Sequence, residues 1–168
     1  MIRVLGEDDL DAWLSLRLDA LLRHPENFLT SHAEVSARPR SAHVARLQSG
    51  AIWGAFDGDT LTGMIACDRL RTPGTEHRAQ ITSFYVAPDH RGGGQGRRLL
   101  EFVSTGMEGQ GVVQLELQVA VENTSAIRFY EAAGFQRFGT FPRQVVRDGR
   151  CESDYFMVRF LDGWRADA

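Results

Sequence analysis

The chain has 168 residues, 43% apolar and 24% charged, with a net charge of −3, the profile of an ordinary globular domain and a poor fit to a polyanionic partner. No apolar run approaches the roughly 18 residues of a membrane span, and "MIRVLGEDDLDAW" has neither the basic start nor the apolar stretch of a signal peptide. The expectation is a cytoplasmic protein without a membrane or nucleic-acid partner.

In chain order, "MIRVL" predicts a short edge strand. Glu7, Asp8 and Asp9 then favour a helix start ahead of apolar positions at Leu10, Trp13, Leu14, Leu16, Leu18 and Leu21, and Pro25 ends that helix. A second helix is expected from about Ser31 to Leu47, interrupted or restarted near Pro39. "AIWGAF" and "TLTGMIACDRL" flank Asp57-Gly58-Asp59, a hairpin signal. "AQITSFYVA" is a third long strand, followed by a glycine turn and a helix from about Gly96 to Glu108. "VVQLELQVA" alternates, with Leu115, Leu117 and Val119 on one face and Gln114, Glu116 and Gln118 on the other. The short helix "TSAIRFYEAA" stops at Gly134. "FQRFGTFPRQVV" and "CESDYFMVRF" flank a last hairpin turn at Arg147-Asp148-Gly149-Arg150. No repeat or linker interrupts this pattern, so residues 1–168 are expected to form one mixed α/β domain.

Cys67 and Cys151 belong to no CxxC or Cys/His cluster, so two thiols are expected rather than a disulfide framework or a metal site. All nineteen basic residues are arginine.

The chemistry concentrates in "YVAPDHRGGGQGRRLL". A strand that feeds a glycine-rich turn into a helix N-terminus suits phosphate, because successive N–H groups point outward and absent Cβ atoms permit close approach. A P-loop needs GxxxxGK[ST], and the chain has no lysine. A dinucleotide fingerprint needs GxGxxG, and the third site holds Leu99 or, counted from Gly92, Arg97. What remains is R-x-x-G-x-G, met by Arg91, Gly94 and Gly96.

That segment resembles the acyl-CoA-binding motif of the GNAT superfamily of N-acetyltransferases. "NTSAIRFYEAAGF" is similar to the superfamily's N-x-x-A-x-x-x-Y-x-x-x-G-F segment through Asn123, Ala126, Tyr130, Gly134 and Phe135, and the element order matches from Met1 to Phe160. The resemblance implies a mostly antiparallel sheet splayed between its fourth and fifth strands and flanked by four helices. It further implies acetyl-CoA as cosubstrate, no metal, and acetyl transfer to a primary amine of a small molecule by direct attack. The alternatives are a protein or peptide N-terminal acetyltransferase and a non-catalytic acyl-CoA-binding regulatory module. A homodimer is compatible with all three.

Carried over by residue, the resemblance places the backbone of Phe84, Tyr85 and Val86 against the pantetheine amides, with a strand N–H near Val86 polarising the thioester carbonyl. Gly92, Gly93, Gly94, Gln95, Gly96 and Arg97 would wrap the pyrophosphate, with Arg91 adding charge. Asn123 would bond the cofactor arm, although a helix N-cap is its other reading. Tyr130 would protonate the departing thiolate, or else pack in the core. Binding both reactants in line supplies much of the acceleration. The base is left open. Where some relatives carry glutamate this chain has Gln118, and before the glycine turn the polar residues are Gln80, Thr82 and Ser83. Glu116, Glu34, Asp154 or ordered water are the candidates, with Glu116 otherwise a solvated strand carboxylate. The resemblance places acceptor specificity in the first two helices, their connection and the last hairpin; "RHPENFLTSHAE" supplies His24, Glu26, Asn27, Phe28 and Glu34, and carboxylates there suit a cationic acceptor such as an amino acid, polyamine, aminoglycoside or peptide N-terminus.

Overall fold

The acidic run before Leu10 forms a single 3-10 turn, Glu7–Asp9, which leads into helix α1, Leu10–Arg23. The computed structural model describes residues 1–165. Leu10, Trp13, Leu16, Ala20 and Leu21 line the buried face of α1, and Pro25 closes the helix by starting another 3-10 turn. The interruption expected at Pro39 is realised as two helices, α2 (His32–Ala37) and α3 (Arg40–Gln48). Ser31 opens α2 with a reciprocal capping box to Glu34, and Pro39 caps α3. With α4 (Gln95–Glu108) and α5 (Thr124–Ala132), the described residues hold five α-helices rather than the four implied by the family resemblance.

Seven strands accompany them: β1 (Ile2–Val4), β2 (Ile52–Asp57), β3 (Thr60–Arg69), β4 (Arg78–Val86), β5 (Gln114–Ala120), β6 (Gln136–Arg147) and β7 (Arg150–Phe160). Both expected hairpin turns form. In the second, Asp148 and Gly149 both take left-handed φ values, +47° and +75°, the geometry that a two-residue turn between twisted strands requires.

The fold divides into two compact units, one of Met1–Asp68 with Thr82–Thr105, the other of Arg69–Ile81 with the described residues from Gly106 onward. β4 contributes its second half to the first unit and its first half to the second. In the first unit the strand order is β1-β2-β3-β4, and α1, α2 and α3 bury Leu10, Trp13, Leu21, Val35 and Leu47 in a cluster with Ile52, Phe56, Met64 and Tyr85. Each fully buried aliphatic side chain there contributes about 1.5–3 kcal/mol of transfer free energy. In the second unit the order is β4-β5-β7-β6. β4 and β5 run parallel from Arg78↔Gln114 to Ile81↔Leu117, whereas β5–β7 and β6–β7 are antiparallel. The alternation read from β5 holds for Leu115, Leu117 and Val119, which are buried. Glu116 departs from it, being only 5% exposed rather than solvated.

Candidate active site

Four glycines occupy five positions from Gly92 to Gly96, and the structure shows what they permit. Gly92 and Gly94 adopt left-handed φ values of +81° and +75°, which other L-residues adopt at a cost. A Cβ added at Gly92 or Gly93 would meet nothing within 4 Å, so the surface beside the turn is open. The guanidinium of Arg98 donates to the Gly93 carbonyl at 2.8 Å, fixing that peptide from its carbonyl side. Among the described residues no protein acceptor takes the N–H groups of Gly92, Gly93, Gly94, Gln95 or Gly96. Five consecutive donors at the mouth of a 14-residue helix form a concave anion receptor. Gln95 Nε2 donates to Thr62 Oγ1 at 2.6 Å, and its Oε1, sealed from solvent, has no partner among the described residues. The run of donors fits a ligand that presents oxyanions.

Arg91, expected to add charge at the turn, is turned back onto the strand. Its Nε donates to the Val86 carbonyl at 2.8 Å, its guanidinium lies 5.3 Å from the centre of the Tyr85 ring, and Nη2 lies 3.3 Å from His24 Nε2. It therefore braces the end of β4. Arg97 is exposed on the first turn of α4. Phe84 is half-buried on β4, and the buried Tyr85 donates its hydroxyl to Asp19 Oδ2 at 2.9 Å.

In the second unit Asn123 takes the cap position of α5, its Oδ1 accepting from Ala126 N and Ser125 Oγ, each at 3.1 Å. The capping use of its oxygen is thus observed. Tyr130 is buried on α5 between the edges of Phe129 and Phe135, at 5.4 and 5.5 Å between ring centres. Burial pushes its hydroxyl well above the usual phenol range, so it holds its proton at neutral pH.

The base candidates separate by their partners. Glu34 accepts from the Ser31 N–H at 2.6 Å and the Ser31 hydroxyl at 2.8 Å, which hold its carboxyl below the usual range. Glu116 accepts from the Arg78 Nε, from Arg78 Nη2 at 2.8 Å and from Gln114 Nε2 at 2.7 Å, a fully satisfied ion pair. Gln118 accepts from Gln144 Nε2 at 2.8 Å. Asp154, on β7 opposite Ala120, is 8% exposed, and among the described residues no donor reaches its carboxylate. Cys67 is buried, which pushes its thiol up to about 12, and Cys151 is exposed.

One residue of this region escaped the sequence analysis. Arg17 sits on the apolar stripe of α1, three and four positions from Leu14, Trp13, Ala20 and Leu21. It donates to Ser83 Oγ at 2.8 Å and to Thr30 Oγ1 at 2.9 Å. The signal was present as a charge within a leucine-rich face. The carboxylates expected to make this segment anionic are occupied locally, Glu34 by Ser31 and Glu26 beside His24 at 3.5 Å.

Known proteins resemble this chain in sequence and in fold. A mycothiol acetyltransferase of Geodermatophilus obscurus is 33% identical over 132 residues, 77% of this chain and 42% of that protein. The N-alpha-acetyltransferase RimI of Mycobacterium tuberculosis is 41% identical over 87 residues, 51% of this chain and 52% of that protein. The chain therefore spans about half the length, or less, of these curated relatives. The Salmonella typhimurium protein yncA, solved with its cofactor acetyl-CoA, superposes with a TM-score of 0.81 at 24% identity, covering 100% of this chain and 97% of that one. No helix among the described residues is long and apolar enough to cross a membrane. Residues 12–135 match the Acetyltransferase (GNAT) family, and the chain belongs to that family.

Proposed function

We propose that this chain is an acetyl-CoA-dependent N-acetyltransferase whose acceptor is a primary amine of a small molecule. The observation that carries the proposal is the run of N–H groups from Gly92 to Gly96 that no protein acceptor takes among the described residues. In this reading those donors, with the dipole of α4 behind them, hold the pyrophosphate of coenzyme A. The backbone of Phe84, Tyr85 and Val86 bonds the pantetheine arm, and Arg91 keeps the Val86 peptide in orientation. The cosubstrate supplies an already activated acyl group, so no covalent enzyme intermediate is required and alignment of the two reactants does much of the work. The Cys67 thiol, raised by burial, is unsuited to nucleophilic catalysis. Tyr130 serves as the acid that gives its proton to the leaving sulfur, and ordered water takes the proton that the attacking amine sheds and restores the one Tyr130 gives up. Asn123 contributes its amide to the same arm while its oxygen caps α5.

The likeness to RimI supports protein N-termini as a second class of acceptor. Against it stands Gln118, an amide held by Gln144 where a carboxylate base is expected.

Free CoA release, assayed over a panel of small amines and N-terminal peptides, tests the proposal. Small amines are expected to support turnover, and Tyr130→Phe is expected to lower kcat about 100-fold while acetyl-CoA affinity changes less than about threefold. Equal losses in kcat and affinity would assign Tyr130 to packing. Turnover confined to peptides would favour the second class.

A further inference from the structure

Four partly buried arginines in this protein meet carboxylates: Arg3 with Asp9 at 2.6 Å, Arg46 with Asp68 at 2.6 Å, Arg78 with Glu116, and Arg147 with Glu152 at 2.9 Å. Arg17 does not. Among the described residues no carboxylate lies within ion-pair distance of its guanidinium, whose hydrogen-bond partners are two neutral hydroxyls, Ser83 Oγ and Thr30 Oγ1. One face of the guanidinium is covered by the Phe28 ring, 5.0 Å from its centre, and Phe28 is itself buried. Burial, together with the nearby positive charges of Arg38 and Arg46, pulls Arg17 down to about 10. Arg46 is neutralised by Asp68, whereas for Arg38 no ion pair is found among the described residues. An ionised group held in such surroundings without a counter-ion is costly, and a guanidinium with donors to spare is shaped to take a planar oxyanion in two parallel hydrogen bonds.

The position adds a second argument. Ser83, which holds one arm of the guanidinium, is the residue immediately before Phe84, Tyr85 and Val86. The unpaired cation therefore lies beside the stretch of β4 that the proposed function assigns to the acyl donor.

We propose that Arg17, with Ser83 and Thr30, receives an anionic group of the acetyl acceptor, so that the acceptor is a small amine that also carries a carboxylate or an isosteric oxyanion. This rests on the acetyltransferase reading above and narrows its substrate to amino-acid-like amines. Among the cationic acceptors compatible with the sequence, it selects those whose amine is accompanied by an anionic group.

The test measures free CoA release with α- and ω-amino acids and, for each, the matching carboxamide or decarboxylated amine. The unmodified protein is expected to favour the carboxylate-bearing amine by at least about 30-fold in kcat/KM. Arg17→Gln is expected to bring that amine down to the level of its neutral partner, with acetyl-CoA affinity by calorimetry unchanged. Arg17→Lys, which keeps the charge without the fork, is expected to retain part of the preference. If Arg17→Gln fails to fold, Ser83→Ala, which leaves α1 untouched, is expected to weaken the preference about 3- to 10-fold. Equal or better activity on the neutral amines overturns the proposal. So do equal losses on both amines accompanied by a collapse in melting temperature, which would make Arg17 a structural pin. If no amine in the panel releases CoA, calorimetry locates the failure. Intact acetyl-CoA binding rejects the carboxylate-bearing acceptor alone, and absent binding rejects the acetyltransferase reading beneath it.

Discussion

Glu116 and Asp154 share one face of the second unit's strands, yet their surroundings drive them apart. Glu116 accepts from Arg78 and Gln114, so its oxygens are already taken by protein donors and are poorly placed to receive a substrate proton. Asp154 has no such partner, and burial pushes its carboxyl above the ordinary 3.8; the Glu152 charge adds to that shift and Arg147 opposes it. A raised carboxyl stabilises the fold while it is protonated, and that contribution is lost as pH rises through the raised value. At neutral pH the folded chain therefore carries a charge it holds less well than the unfolded chain does. Asp154→Asn is expected to raise the unfolding free energy at neutral pH, because the amide removes the charge that burial disfavours. The gain is expected to disappear well below pH 3.8, where the carboxyl is protonated in the folded and unfolded chain alike. Urea denaturation at the two pH values reads the difference, and a loss of stability at neutral pH would reveal a favourable contact to the carboxylate.

At the scale of elements, the same residue can serve a helix and a ligand, and Asn123 allows the two to be separated. Its Oδ1 caps α5. Asn123→Asp keeps an oxygen for the cap and adds negative charge at a helix N-terminus, so melting temperature is expected to hold or rise. The amide donor is lost, and acetyl-CoA affinity is expected to fall about 10-fold. Asn123→Ala is expected to cost about 1 kcal/mol of stability. Calorimetry alongside thermal melts distinguishes these outcomes, and an Asp variant that binds acetyl-CoA normally would leave Asn123 as a cap alone. The elements themselves were legible because their signals are local. The two Asp-Gly turns, the prolines at the ends of α1 and α2, and the alternation of Leu115, Leu117 and Val119 each lie within a few residues of what they determine. The pairings that define the site's electrostatics are not local. Arg78 meets Glu116 and Arg17 meets Ser83 across separations of 38 and 66 residues. Only the folded chain shows that Glu116 is spent on an arginine, that Arg91 turns back onto Val86, or that Arg17 meets no carboxylate among the described residues.

For the molecule as a whole, a ligand that binds only the folded state must stabilise it by mass action. At a coenzyme A concentration 100 times its Kd the gain is about 2.7 kcal/mol. For a chain of this length each kcal/mol moves the melting temperature by about 2–4 °C, so a rise of about 5–10 °C is expected. The chain carries no lysine, so no ε-amine of its own competes as an acceptor when acetyl-CoA is the ligand. Gly93 provides the control. Unlike Gly92 and Gly94, it does not take a left-handed φ, and a Cβ built there meets nothing within 4 Å. Gly93→Asp therefore adds a carboxylate beside the turn without straining the backbone or displacing a neighbour, and the free protein is expected to melt as before. Its rise with coenzyme A is expected to vanish, because the added charge faces the proposed position of the pyrophosphate. Gly93→Asn, of the same size but neutral, is expected to retain part of the rise. A full rise in Gly93→Asp would mean that the ligand is held elsewhere, and it would remove the glycine turn from the site.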